Sequence, residues 1–471
     1  MLTKTTIETR LQRWRRVLRQ AIYGEEQDFT TGSIDRAIVL LSIPMILEMA
    51  MESLFAVVDA FFVARIGNEA VATVGLTESV LTLIYSVAIG LSAAATAMVA
   101  RRVGEGRKKA AAVAGAQTIL IAVILSVLIA VPGYFFAEDI LLLMAKDPHV
   151  AESGAPYTRL MLTANLPILL LWMLNGIFRG AGDAVTAMRA LWIANAVNIV
   201  LDPLLIFGYG PFPEMGVLGA AVATTIGRSV GVAYQLWQLF GVGRILRLHW
   251  RFLRPRLDVI RRLLVLASGS TGQYLIASAS WIFMIYILGQ IGTQVTAGYT
   301  IAIRIVIFTI LPSWGISNAA ATLVGQNLGA GLPERAEKSV WRAGYFNMIF
   351  MAIVGVTYLI GASFFIGLFT TDPETLKAGS MALRIIATGY VFYGYGMILS
   401  QAINGAGDTR TPTLLNFVCF WLIEMPLAWL LALHWEWGQG GVYYSIVVAE
   451  SVLALGAIWV FRKGKWKTTK V

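Results

Sequence analysis

The chain of 471 residues is 57% hydrophobic and 14% charged, with a mean hydropathy of +0.71. A soluble domain carries about 25% charged residues, so a water-exposed fold is excluded and a bilayer is expected. The net charge of +10 would suit nucleic acid, but its distribution argues otherwise. With the first segment in the cytoplasm, about 30 of the 37 Lys and Arg residues fall on inner segments and about five on outer ones. This is the positive-inside bias: the basic charge sets topology, both termini are expected in the cytoplasm, and no nucleic-acid partner is expected.

Residues 1–35 form a basic N-terminal segment in which Arg10, Arg13, Arg15, Arg16 and Arg19 alternate with Leu11, Trp14, Val17 and Leu18. It lacks the apolar core of a signal peptide. It reads either as an amphipathic helix on the inner membrane face or as a solvated basic tail. Twelve apolar stretches follow, near 36–63, 70–99, 111–136, 156–178, 186–208, 216–240, 261–288, 295–323, 338–366, 380–402, 411–433 and 440–461. About 20 apolar residues suffice for a spanning helix, so the expected fold is all-α with twelve transmembrane helices. Six lie in an N-lobe (36–240) and six in a C-lobe (261–462), joined by a cytoplasmic linker (241–260) and followed by a tail (463–471). No room remains for a soluble enzyme domain. The single Cys419 lies in an apolar span, so no intrachain disulfide or Cys-based metal cluster can form.

The halves repeat at an offset of 225 residues. Gly180-Ala181-Gly182-Asp183 recurs as Gly405-Ala406-Gly407-Asp408, Thr186 as Thr411, Gly104 as Gly329, Gly90 as Gly315, and Asp147-Pro148 as Asp372-Pro373. An even number of spans per copy inserts both copies the same way up, so this is a parallel repeat about an axis along the membrane normal. Prolines interrupt several spans. Pro44 and Pro203 are candidate hinges, because proline frees a carbonyl and permits a bend; Pro167, Pro312 and Pro426 read as ordinary membrane-helix prolines.

Charged residues inside spans are few. A carboxylate at the bilayer centre costs roughly 2.5–3.5 kcal/mol on insertion scales, so each is a functional candidate. Glu48, Glu52 and Asp59 fall in the first span, Glu78 in the second, Asp202 in the fifth, Arg304 in the eighth, Glu424 in the eleventh and Glu450 in the twelfth. Asn198 lies one helical turn before Asp202, with Pro203 beside it. Asp59, Asp202 and Asn198 at similar depth can share a proton and titrate as a unit; the alternative for each acid is a structural hydrogen bond. Glu48 and Glu52 line one cavity, or one pairs with Arg228. Glu78 and Arg304 occupy nearly equivalent repeat positions and suggest a gate pair across the axis, against separate structural pairings. The roles of Glu424 and Glu450 stay open. Catalytic triads, zinc motifs and nucleotide loops are missing, and the Gly-Ala-Gly-Asp turns lack the following Lys and the strand–helix context. Neither an enzyme, a nucleotide partner nor a cofactor is expected; the energy source is an ion gradient of H+ or Na+.

Several segments together resemble the multidrug and toxic compound extrusion (MATE) transporters. They are Pro44…Asp59-Ala60-Phe61-Phe62…Arg65-Ile66-Gly67, Asn175…Arg179-Gly180-Ala181-Gly182-Asp183, Asn198…Asp202-Pro203 and Gly216-Val217-x-Gly219-Ala220-Ala221-x-Ala223-Thr224. The resemblance covers about residues 35–462. It implies a V-shaped pair of six-helix lobes around a central cleft, in the plasma (inner) membrane, exporting organic, often cationic compounds in exchange for protons or sodium ions. The DinF-like bacterial and archaeal branch fits best. Its N-lobe ion network corresponds to Asp59, Asn175, Asn198 and Asp202, with Thr224 as the sixth-span threonine; the same oxygens are where Na+ would sit. NorM-like members place an acid in the seventh span and another in the tenth. Here Ala277 takes the seventh-span place, and Tyr393 and Tyr395 stand where the tenth-span acid would be. Glu52, Met49, Phe55, Met173 and Phe178 are the candidate wall of a substrate cavity, the alternative being core or lipid-facing positions. Small organic substrates and the bilayer are the expected partners, and nothing requires more than a monomer. The rival readings are a flippase for a lipid-linked intermediate, and an intramembrane enzyme or channel.

Overall fold

The structure, a computed structural model, describes residues 16–24, 28–144, 148–242 and 245–469. Arg10, Arg13 and Arg15 of the expected amphipathic segment lie outside these residues, as does Asp147; residues 16–23 are helical. The first half comprises α1 (Ile34–Ala64), α2 (Asn68–Gly104), α3 (Lys108–Met144), α4 (Pro148–Thr163), α5 (Leu166–Ala181), α6 (Ala184–Ile206) and α7 (Val217–Trp237). The second comprises α8 (Leu257–Ile291), α9 (Thr293–Gly329), α10 (Pro333–Gly367), α11 (Pro373–Thr388), α12 (Tyr390–Gly405), α13 (Arg410–His434) and α14 (Gln439–Arg462). With α4/α5 and α11/α12 each counted as one broken span, twelve spans result.

The fourth and tenth spans differ from the single stretches expected at 156–178 and 380–402. The first is broken between α4 and α5 with a bend of 40°, the second between α11 and α12 with a bend of 57°. Pro167 falls in the first turn of α5, where its missing N–H has no intrahelical acceptor to lose. The Asn165 Nδ2 donates to the Ser126 carbonyl at 3.3 Å, tying the break to α3. The second break falls at Gly389 and has no proline. Pro44 and Pro203, the candidate hinges, each lie within one continuous helix, α1 and α6. In α13, wide π-helical turns at Phe417–Glu424 and Leu430–His434 flank the α-turns around Pro426.

The 225-residue repeat is a repeat of backbone devices. Asp183 caps α6, accepting from the Thr186 N–H (3.1 Å) and hydroxyl (2.7 Å). Asp408 caps α13 the same way through Thr411, at 3.1 Å and 2.6 Å. Gly182 and Gly407 precede these caps with φ of 87° and 95°, in the left-handed region where a side chain is strained. A second glycine set lies where the halves cross. A methyl on Gly104 would overlap the Gln326 carbonyl, and one on Gly329 would overlap the Arg101 carbonyl. A methyl on Gly90 would lie 2.7 Å from the Thr271 nitrogen, and one on Gly315 2.7 Å from the Ile46 nitrogen. In both cases the contacts exchange under the 225 offset, so the pseudo-twofold axis runs between them.

These crossings bring the ends of the spans that carry the basic loops tightly together. Side-chain bonds reinforce the closure: Thr322 donates to the Arg179 carbonyl (3.1 Å) and Gln326 to the Gly180 carbonyl (3.0 Å). The segment before α1 is tied to the second half through Arg335, which donates to the carbonyls of Thr31 (2.7 Å) and Gly32 (2.9 Å), and through the Arg342–Asp35 ion pair. After α14, Lys467 pairs with Glu337 while the Thr469 carbonyl accepts from Arg101 at 3.1 Å.

Candidate functional site

Glu48, Glu52, Phe55 and Asp59 follow one another on α1 at spacings of four, three and four residues, which places them on one helix face. This stripe organises three polar clusters in the first half. Glu48 is 1% exposed. Its Oε1 accepts from Asn175 Nδ2 at 2.9 Å and pairs with Arg179 at 3.4 Å. Arg179 also donates to Ser92 Oγ at 2.9 Å, and Gln235 donates to Asn175 Oδ1. The arrangement joins α1, α2, α5 and α7. A buried ion pair is tolerated best when further hydrogen bonds surround it; here Asn175 and Ser92 supply them, while Glu48 Oε2 is buried and accepts none from a described residue.

Glu52 meets Arg228 of α7 through two parallel bonds of 2.8 and 3.2 Å, the geometry suited to a guanidinium and a carboxylate. The guanidinium lies 4.8 Å from the centre of the Phe55 ring. The third cluster holds Asp202, with no exposed surface. Asn198 Nδ2 is shared between Asp202 Oδ1 (3.4 Å) and Thr224 Oγ1 (3.2 Å). Asp202 Oδ2 and Asn198 Oδ1 are buried and accept no hydrogen bond from a described residue. Asp59 is half-buried, makes no hydrogen bond to a described residue, and lies within electrostatic reach of Asp202, Glu78 and Arg228. A carboxylate desolvated without a cation beside it is costly. An oxygen-rich set of this kind, with no Lys or Arg bonded to Asp202, can hold a proton or a hard cation.

Of the residues expected to form the ion network, Asn198, Asp202 and Thr224 thus come together with Asp59 beside them. Asn175 does not join them: its amide is occupied by Glu48 and Gln235. The expected gate pair is also not formed. Glu78 and Arg304 are both exposed and within electrostatic reach of each other, but they make no direct ion pair. Of the proposed cavity wall, Met173 and Phe178 are 0% and 5% exposed and belong to the core packed among α2, α3 and α6. Met49 lines a small cavity between the halves with Trp172, Arg179, Trp314, Gln401 and Asn404. Glu52 and Phe55 face Arg228 as described.

Sequence reasoning missed the inward turn of Arg179 and the part played by Ser92 and Gln235; a lone amide in an apolar span gives no local signal. In the second half the equivalents of Glu48 and Arg179 are Gln273 and Asn404, which exchange two amide hydrogen bonds at 3.0 and 3.1 Å. Glu424, 2% exposed, accepts from Ser280 at 2.8 Å, and Glu450 makes no hydrogen bond to a described residue.

Two segments, residues 44–204 and 270–430, match the MatE family model, one in each half and together covering more than half of the chain. The chain belongs to the MatE family. It is similar to a probable multidrug resistance protein NorM of Thermotoga maritima, at 25% identity over 93% of this chain and 94% of the relative. It is similar to an FAD transporter of Shewanella oneidensis at 26% identity, over 84% and 88% of the two chains. Among solved structures, a MATE in complex with MaL6 matches with a TM-score of 0.87 and 27% identity, over 94% of this chain and 99% of that one. A multidrug resistance MATE family transporter in an outward-facing conformation matches with a TM-score of 0.87 and 26% identity, over 94% and 100%. This MatE chain is therefore a multi-pass membrane transporter of the multidrug-efflux type, built from two helical bundles, and not an enzyme.

Proposed function

We propose that this MatE transporter is a proton-coupled antiporter that exports organic, drug-like, often cationic compounds. In this reading the ion site is Asp202 with Asn198, Thr224 and Asp59, and the DinF-like branch is the one it fits. The observation that carries it is Asp202: a fully buried carboxyl with one oxygen free of protein donors, in a cluster that the second half does not repeat. Leu427 and Met284 stand where the repeat would put Asp202 and Asp59. The lobes are residues 36–240 and 261–462, with both termini cytoplasmic. With that topology the close crossing at Gly104 and Gly329 lies at the inner end. Proton binding at Asp202 and Asp59 favours the state that releases substrate, and coupling requires substrate to bind the two states unequally. The site lies within one lobe, so a monomer suffices.

Sodium is the runner-up ion, because Asp, Asn and Thr oxygens also suit it. A lipid flippase would call for several free cations along the spans; Arg179 and Arg228 each face a glutamate, and of these two and Arg304 only Arg304 lacks an ion pair with a described residue. The test is efflux of a fluorescent organic cation from proteoliposomes under a pH gradient alone or a sodium gradient alone. The pH gradient should drive transport, and Asp202→Asn and Asp59→Asn should each reduce it to the undriven rate. Full proton-driven transport by Asp59→Asn would sink the site assignment; transport by the sodium gradient alone would replace the proton.

A further inference from the structure

We propose that residues 245–252 of the connection between the halves, with the start of α3, form a binding site for the headgroup of an anionic phospholipid. A pocket on the basic face is lined by Lys108, Lys109, Arg247, His249, Trp250 and Arg251, with Ile245 and Phe252 between them. Lys108, Lys109, Arg247 and Arg251 make no ion pair with a described residue, and no acid lines the pocket. The nearby Glu105 is engaged by Arg102 and Arg107. Four unpaired cations repel one another, and a phosphodiester among them removes that repulsion.

The pocket is held rather than floppy. Its chain is extended, so side chains alternate: Leu246 and Leu248, 4% and 1% exposed, enter the core, while Arg247 and His249 face out. The Leu248 N–H donates to the Leu239 carbonyl at 2.9 Å. Gln117, fully buried in α3, donates to the carbonyls of Phe252 (2.7 Å) and Arg254 (3.0 Å) and accepts from the Arg256 N–H (2.9 Å). Without those bonds an arginine-rich connection would sample many positions.

A lipid, rather than a soluble phosphate, is favoured by the surroundings. Trp250 is 73% exposed and stacks on Phe240 at 4.4 Å, and Trp237 is 58% exposed at the end of α7. Tryptophan collects where headgroups meet acyl chains. From Trp237 an exposed apolar stripe, Val230 and Ile226, runs down α7 and offers a path for the chains. Basic pockets beside membrane helices suit such headgroups.

The test uses the full-length protein in detergent, with native mass spectrometry of bound phosphatidylglycerol against phosphatidylcholine. Each cation near the surface contributes about 1 kcal/mol, so Arg247→Gln/Arg251→Gln should weaken phosphatidylglycerol retention about thirtyfold. Lys108→Gln/Lys109→Gln should do the same. Lys463→Gln/Lys465→Gln, which removes equal charge from the exposed tail, should have little effect. All three double variants should melt like the parent in lipid-free detergent. Equal losses in all three would reduce the site to diffuse surface charge and overturn it. Displacement of the lipid by millimolar inorganic phosphate would overturn the lipid assignment in favour of a free-phosphate site.

Discussion

The two halves share a backbone plan and differ in the chemistry laid over it. Where α1 and α5 meet, Glu48 and Arg179 form a buried ion pair; at the equivalent place Gln273 and Asn404 exchange neutral amide bonds. Asp59, Asp202 and Arg228 correspond to Met284, Leu427 and Leu453. By contrast, the aspartate caps and the crossing glycines are the same in both. Features that shape the chain are needed twice because the scaffold is built twice. The clusters around Glu48, Glu52 and Asp202 are present once, as a single ion site confined to the first half would require.

The comparison is open to four tests beyond the transport assay, taken from the largest expected effect. Glu48→Gln should destabilise the protein by about 3–5 kcal/mol, because Arg179 is left buried without its counter-charge. Glu48→Gln/Arg179→Asn, which copies the second half, should recover most of that loss in detergent melting; failure to recover would mean the ionic pair is not a local alternative to the amide pair. Gly104→Ala and Gly329→Ala should each cost about 1–3 kcal/mol through overlap with a facing carbonyl. Unequal losses would show that the axis contacts are not equivalent. Asp183→Ala and Asp408→Ala should cost about 1 kcal/mol each by removing a helix cap, again read by melting.

The smallest effect concerns pH. Asp372 caps α11 through the Thr375 hydroxyl and N–H, and these bonds hold its carboxyl below the usual aspartate range. A lowered folded value means that the cap stabilises above the ordinary aspartate pKa and is lost as pH falls through the lowered one. Amide exchange in the first turn of α11 should therefore quicken in acid, and Asp372→Asn should remove that dependence.

Much of this was legible in the sequence, for physical reasons that differ by region. The spans and the repeat could be read because apolar length and glycine spacing are local properties. Asp202 and Asn198 could be paired because one helical turn separates them. The inward turn of Arg179 could not be read: an arginine ending an apolar helix can reach water or fold back, and only the position of Glu48 decides. The break at Gly389 carries no proline to announce it. Met173 and Phe178 were read as cavity wall because composition does not say which helix face meets a neighbour. Glu78 and Arg304 were paired by repeat arithmetic, which gives equivalence but not distance.

The crossing glycines also bear on how the molecule is made. Gly90 and Gly104 are covered by the second half, and Gly315 and Gly329 by the first. A ribosome completes the first half before α8 and α9 exist, so during synthesis Gly90 and Gly104 lack the second-half backbone that later covers them. Neither half can therefore reach its final packing by itself. The nascent first half must wait in the membrane, soft along that seam, until its twin arrives to close it.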